Sequence, residues 1–183
     1  TVTITDDATV NRRMNKIGIV LKPNHPQGEI ALEKLTCWLS DHHKKAVLIN
    51  PFKKGAIPPV DMIIVLGGDG TLLSVARCAA EAQIPILAIN LGSLGFLTEI
   101  TLNELYPTLT QVFKKEYLED PRMMLTCVLE RGKRQIKKPT VLNDIVVNKG
   151  PFAKPIQMEV VVDGQFVTGL KGDGVIVASA TGS

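Results

Sequence analysis

Asp61-Met-Ile-Ile-Val-Leu-Gly-Gly-Asp-Gly-Thr71 is the stretch on which the reading of this chain turns. Its apolar run, Met62 to Leu66, is short, wholly hydrophobic and rich in β-branched residues, as expected of a strand buried on both faces of a parallel sheet. The run ends in three glycines around one carboxylate, Asp69, and an apolar stripe at helical spacing follows: Leu72, Val75, Ala76 and Ala79. Glycines allow a sharp turn and close approach of a ligand. The N–H groups of a following helix point at the same place. The corner therefore favours phosphate, and a lone carboxylate in it is electrostatically out of place. Such a carboxylate has two sensible tasks beside a nucleotide: to hold Mg²⁺, or to accept the proton of a hydroxyl that attacks a phosphoryl group. The plainer alternative is that Asp69 or Thr71 caps the helix.

Working outward, Lys16–Leu21, Ala46–Asn50 and Pro85–Ile89 read as further buried strands. Glu29–His43 has helical spacing, with Ala31, Leu35, Trp38 and Leu39 on one face and Trp38 read as core. A Pro23/Pro26/Gly28 loop precedes it, and Pro51–Val60 is a second loop. Thr101 and Glu104 form a capping-box pattern that opens a helix to Lys115, with Pro107 expected to kink or restart it. Strands alternating with helices predict a doubly wound parallel sheet. From Pro121 the pattern changes to strands without intervening helices: Arg122–Glu130, Thr140–Asn148, Ile156–Val162, Gln165–Leu170 and Val175–Ser179, with Asp163-Gly164 as a hairpin turn. The expected organisation is a flexible lead over 1–15, a Rossmann-like α/β domain over 16–120, and an all-β, sandwich-like domain over 121–183. The chain stops inside a loop, Ser179-Ala-Thr-Gly-Ser183, so the last domain is expected to be truncated.

Composition narrows the function classes. The chain has 183 residues, 45% hydrophobic and 21% charged, with net charge +3. This suits a globular protein and is too mildly basic to argue for nucleic acid. Its short basic clusters, Arg12-Arg13, Lys53-Lys54 and the group from Arg131 to Lys138, read as solvated faces. Three widely spaced cysteines give no zinc pattern; Cys37 and Cys78 are expected to be buried thiols of a reducing compartment. No membrane span or signal peptide is apparent, and a cytoplasmic location is expected.

Ligands of open α/β sheets bind beyond the carboxyl ends of the strands. Two glycine loops lie there: Gly67–Thr71, and Asn90-Leu-Gly-Ser-Leu-Gly-Phe-Leu-Thr98. If their strands are neighbours, both loops line one crevice. The P-loop pattern is absent, and the Rossmann fingerprint fails because Leu73 stands where its third glycine belongs. In the β-rich part, Asn143 of Leu142-Asn-Asp-Ile-Val-Val147 shares a face with apolar neighbours, so its amide needs a ligand or a backbone partner. Gly169-Leu-Lys-Gly-Asp-Gly174 sets Asp173 between glycines, either as a plain turn or as part of a site in which Lys171 meets phosphate.

Together and in this order, Gly67-Gly-Asp-Gly-Thr71, Asn90-Leu-Gly-Ser-Leu-Gly-Phe-Leu97, Asn143-Asp144 and Gly172-Asp-Gly-Val-Ile-Val177 resemble the NAD kinase family over roughly residues 16 to 183. The first motif alone is shared with diacylglycerol kinases, sphingosine kinases and phosphofructokinases. The resemblance implies transfer of the γ-phosphoryl of ATP, or of polyphosphate, to the adenosine ribose 2′-OH of NAD, giving NADP. It implies Asp69 as catalytic base and Mg²⁺ ligand. It implies Gly67, Gly68 and Thr71 as the phosphate loop, and Gly70, Leu73, Phe96, Asn143, Asp144, Lys171 and Asp173 as NAD contacts. Within that set Phe96 would line the adenine pocket. A homodimer or homotetramer is also implied. The chain departs from the family at Ser179-Ala180, where Thr-Pro is usual. The competing readings are a lipid or sphingoid kinase with the same glycine corner, and a non-catalytic NAD-binding protein.

Overall fold

The structure, a computed structural model, describes residues 14–50, 57–93, 95–151 and 153–182. The lead as far as Arg13, with Arg12-Arg13, and the part of the second loop that holds Lys53-Lys54 lie outside the described residues. The chain divides into two compact units, Thr1–Glu119 and Asp120–Ser183.

The first unit is a five-stranded parallel sheet. Its strands are β1 (Lys16–Leu21), β2 (Lys45–Leu48), β3 (Met62–Gly67), β4 (Ile86–Asn90) and the two-residue β5 (Ile100–Thr101), in the order β2-β1-β3-β4-β5. Every residue of β3 is buried, because it is the central strand of a sheet covered on both faces. Met62, Ile64 and Leu66 join Ile17 and Ile19 of β1 under helices α1 (Pro26–Asp41) and α3 (Leu105–Phe113), whose Ala31, Leu35, Leu39, Leu105, Leu109 and Val112 fill the same core. By strand alternation Ile63 and Val65 point to the other face. There α2 (Asp69–Glu81) packs on β1, β3 and β4 and buries Thr71, Leu72, Val75, Ala76 and Ala79. The predicted stripe of α2 is the buried one.

Several expectations need correcting. Helix α1 starts at Pro26, not Glu29: proline tolerates the first turn because its missing N–H would have no helical partner there, and His25 caps the end by accepting from Gly28 N at 3.1 Å. Gly28 belongs to this helix, and a Cβ on it would stand 2.6 Å from Leu21 Cδ1 and 2.8 Å from Leu91 Cδ1. Cys37 is exposed and Cys78 only half-buried. Cys37 lies two residues from both Leu35 and Leu39, which turns it about 200° round the helix from the core. Trp38 sits at the rim of the core, stacked on His42 at 3.8 Å and flanked by Tyr106 and Phe113. Burial and the neighbouring Cys37 thiol raise the Tyr106 phenol above its ordinary range. The Thr101–Glu104 capping box is present, and its hydrogen bonds hold Glu104 below the usual carboxylate range. It opens a 3₁₀ turn, Leu102–Glu104, and α3 follows with Pro107 in its first turn.

The second unit contains three antiparallel ribbons: β6 (Val128–Arg131) with β7 (Arg134–Lys137), β8 (Asp144–Asn148) with β11 (Gly174–Ala178), and β9 (Ile156–Val162) with β10 (Gln165–Gly172). Asp163 and Gly164, with φ of 50° and 78°, make the two-residue turn between β9 and β10. Strand β7 falls in the basic cluster read as a solvated face; it has little apolar alternation by which a strand could be recognised.

Candidate functional site

Strands β3 and β4 are hydrogen-bonded neighbours, with Gly67 opposite Asn90. The loops that follow them therefore leave the same edge of the sheet side by side. Gly68 is the N-cap of α2 at φ −110°, with no side-chain cap, and Asp69 is the first helical residue. No glycine of the corner adopts a positive φ, so the turn itself does not demand glycine. Gly67 is required for another reason: a Cβ there would overlap the Thr71 side chain, 2.7 Å from its Cβ. Gly68 and Gly70 would meet nothing within 4 Å. They leave open space beside the free N–H groups of α2.

Asp69 caps nothing in its own helix. Its carboxylate instead holds the second loop. Phe96 N donates to Oδ2 at 2.9 Å, Leu97 N to Oδ1 at 3.1 Å, and Thr98 Oγ1 to Oδ1 at 3.0 Å. Gly95 passes so close that a Cβ on it would overlap Oδ1 and stand 2.6 Å from Thr98 Oγ1. Behind this contact, buried Asn90 donates through Nδ2 to Ser93 O, Thr98 O and Thr98 Oγ1, and accepts from Gly92 N. A carboxylate has about four lone-pair positions, and three donors leave about one, on Oδ2. The electrostatic puzzle of the corner is thus answered locally: the negative charge faces N–H and O–H donors of the neighbouring loop. Phe96, 70% exposed, carries its ring outward from the same loop, and Leu73 is half-buried on α2.

In the second unit, Asn143 precedes β8, and its Oδ1 is buried without a hydrogen-bond partner among the described residues. Such an orphan acceptor is costly unless something supplies a donor. The Asn143 carbonyl accepts from Ser179 N at 2.8 Å, and Ser179 Oγ donates to Leu142 O at 2.5 Å. A Cβ on Gly182 would collide with the Asn143 backbone, 2.5 Å from its oxygen. The Ser179–Gly182 segment and Asn143 are therefore tightly fitted. Asp144 is half-buried at the start of β8. Asp173 is not a turn within one hairpin, because β10 and β11 lie in different ribbons and the chain crosses from one to the other at this residue. Its carboxylate pairs with Lys149 Nζ at 2.8 Å while staying largely exposed, and its carbonyl accepts from Lys149 N at 2.9 Å. Lys149 was not singled out in the sequence, where nothing marks its pairing with a strand 24 residues on, one step beyond Asn148 opposite Gly174 in the β8–β11 ribbon. Lys171 is exposed on β10. Gly174 is needed because a Cβ would overlap Val147 O and stand 3.0 Å from Asn148 Cα. The structure thus groups Gly67, Gly68, Asp69, Gly70, Thr71, Leu73 and Phe96 in the first unit, and Asn143, Asp144, Lys171 and Asp173 in the second. Among the described residues no three His, Cys, Asp or Glu side chains gather as a metal site, and no helix is long and apolar enough to cross a membrane.

A family model described as the ATP-NAD kinase N-terminal domain matches residues 51–117. The chain is 45% identical over 181 residues to the NAD kinase of Geotalea daltonii, and 45% identical over 182 residues to that of Syntrophotalea carbinolica. Each match covers 93% of this chain and 64% of the relative, so the chain spans somewhat under two thirds of the length of these curated relatives. Among solved structures it resembles yeast NADH kinase crystallised with NADH, with a TM-score of 0.81 at 24% identity, covering 94% of this chain and 59% of that one. That likeness concerns the fold. With the four motifs in order and this identity along nearly its whole length, the chain is similar throughout to NAD kinases, and residues 51–117 match the N-terminal domain of that family.

Proposed function

We propose that the protein carrying this chain phosphorylates NAD, using ATP or polyphosphate as donor, to give NADP. The observation that carries this is 45% identity to NAD kinases over 93% of the chain. The orientation of Asp69 supports it, since one acceptor position stays open on a carboxylate otherwise committed to its own fold. The ribose 2′-OH donates its proton to Asp69 Oδ2 as its oxygen bonds to the γ-phosphorus. The bond from that phosphorus to the β,γ-bridging oxygen breaks, and ADP leaves. Positioning supplies most of the acceleration in such transfers.

The N–H groups at the start of α2, reached past Gly68 and Gly70, take the phosphate oxygens, with Gly67 and Thr71 fixing the turn. Mg²⁺ usually keeps several waters and binds mainly substrate phosphates, so with one open position on Asp69 given to the hydroxyl it would meet that carboxylate through water; when bound it would supply neutralisation of phosphate charge. Phe96 offers an exposed aromatic surface for adenine. Asn143 Oδ1, buried and without a donor, takes a substrate hydroxyl, and Asp144 a second. Asp173 receives an amide and Lys171 a phosphate. A cytoplasmic enzyme working as a homodimer or homotetramer belongs to the same reading.

The test is a coupled assay of the whole protein with ATP and NAD, in parallel with diacylglycerol. NADP formation is expected. Binding of NAD without product would favour the non-catalytic reading, and phosphorylation of the lipid alone would favour the lipid kinase. An Asp69→Asn variant that binds NAD and keeps wild-type turnover would show the proton acceptor to be another group.

A further inference from the structure

Which of the two Asp69 oxygens reacts is set by residues outside the corner itself. Gly92 N donates to Asn90 Oδ1 at 2.7 Å, which fixes the amide's orientation, since the opposite one would place donor against donor. Nδ2 must then face Thr98, and it donates to Thr98 Oγ1 at 3.1 Å. A hydroxyl has one proton. Because Thr98 Oγ1 accepts from Asn90, that proton is free to go to Asp69 Oδ1, 3.0 Å away. Thr98 is fully buried and Asn90 nearly so, so water does not substitute readily for either. Among the described residues, Oδ1 receives two donors, Thr98 Oγ1 and Leu97 N, and Oδ2 receives one, Phe96 N.

We propose that Thr98, with its hydroxyl proton directed by Asn90, is a positioning residue that saturates Asp69 Oδ1 and leaves Oδ2 as the oxygen that meets the substrate hydroxyl. This deepens the proposed function and rests on it for its kinetic part, whereas the hydrogen-bond chain can be read without any activity. Thr98→Val keeps the shape and removes the donor. Thr98→Ser keeps the donor and removes only a methyl group.

Two measurements on the whole protein test the proposal. Amide exchange of the unliganded wild type should show the Phe96 and Leu97 N–H groups protected, with protection falling in Thr98→Val and retained in Thr98→Ser. Turnover should fall roughly ten- to a hundredfold in Thr98→Val, as expected for one lost hydrogen bond to a charged group, with KM for NAD changed less than about twofold and kcat restored in Thr98→Ser. Thr98→Val with unchanged exchange and unchanged kcat would overturn the proposal. So would equal losses in the Val and Ser variants, which would mean that side-chain shape and not the hydroxyl matters. If Thr98→Val fails to fold, exposed Phe96 and Leu97 amides in the wild type would by themselves overturn it. If the wild type makes no NADP, the functional reading fails while the exchange data still decide the positioning.

Discussion

Replacing Gly95 by alanine presses on the contact between the two loops. The added methyl would overlap Asp69 Oδ1 and stand 2.6 Å from Thr98 Oγ1 and 2.7 Å from Asp69 Cγ, distances that real Cβ atoms do not adopt. Asp69 is the first residue of α2 and Thr98 is fully buried, so neither can retreat far. The loop around residue 95 has to lift. Lifting it breaks the bonds from Phe96 N and Leu97 N and weakens that from Thr98 Oγ1. Hydrogen bonds to a charged group contribute about 1.5–3 kcal/mol each, so losing two costs about 3–6 kcal/mol in the latched arrangement. If turnover needs the latched state, a cost at the low end already lowers its population, and with it kcat, by roughly a hundredfold. The core should be spared, because Ile89 and the α2 stripe do not depend on the loop contact. The expected result is loss of Phe96 and Leu97 amide protection, an NADP-forming rate down roughly a hundredfold, and a cooperative melt whose midpoint falls by about 6–12 °C, since each kcal/mol shifts a chain of this size by about 2–4 °C. Gly92→Ala is the control for exchange: a Cβ there meets nothing within 4 Å, so both amides should stay protected. Gly95→Ala with protected amides and near wild-type turnover would refute the latch.

Two other perturbations follow from single observations. Asn143→Ala removes a buried acceptor that has no partner among the described residues, so stability should hold or rise slightly while KM for NAD increases by roughly tenfold, the loss of about one hydrogen bond; kinetics beside a thermal melt separate this from simple damage. At Thr101 the capping box holds Glu104 below its ordinary value of 4.5, so its stabilisation is present above that value and is lost as pH falls through the lower folded value. A Glu104→Gln variant keeps a box that does not titrate, so the difference in melting temperature between the two proteins should change over the acid range below about pH 5 and stay flat above it.

The parts of the fold that could be read from the chain were those encoded in side-chain pattern. Met62 to Leu66 is hydrophobic without alternation because both its faces are covered, and the stripe of α2 repeats at helical spacing because one face is. Asp163-Gly164 could be recognised because its turn needs two positive φ values. Elements without such a pattern were missed. β5 has two residues, and β7 offers a single apolar residue, Ile136, between Arg134, Gln135 and Lys137. Pro26 looks like a loop residue until it is seen to occupy a helix start, and Cys37 looks buried until its angle round α1 is known. The site divides along the same line. The glycine corner announces itself, but the partners of Asp69 are two backbone N–H groups and a hydroxyl 27 to 29 residues away. Backbone donors leave no trace in residue type. Gly95 was the available hint: like Gly67, it is a glycine whose packing tolerates no Cβ.

That distinction sorts the glycines by what they are for. Gly67 and Gly95 are explained by the unit's own packing, the first against Thr71 and the second against Asp69 and Thr98. Gly68 and Gly70 are not, since a methyl group on either would touch nothing and neither has a positive φ. Glycine costs a helix or strand terminus conformational entropy and gives nothing back in packing at these two positions. Their bareness is of use only to a molecule that approaches the N-terminus of α2 from outside. The carboxylate between them does not repel an approaching phosphate as a bare charge would, because three donors already face it. The second loop therefore does two things with one set of bonds: it offsets the charge of Asp69 at the N-terminal end of the helix, and it leaves an acceptor position of that carboxylate beside the space the glycines leave open.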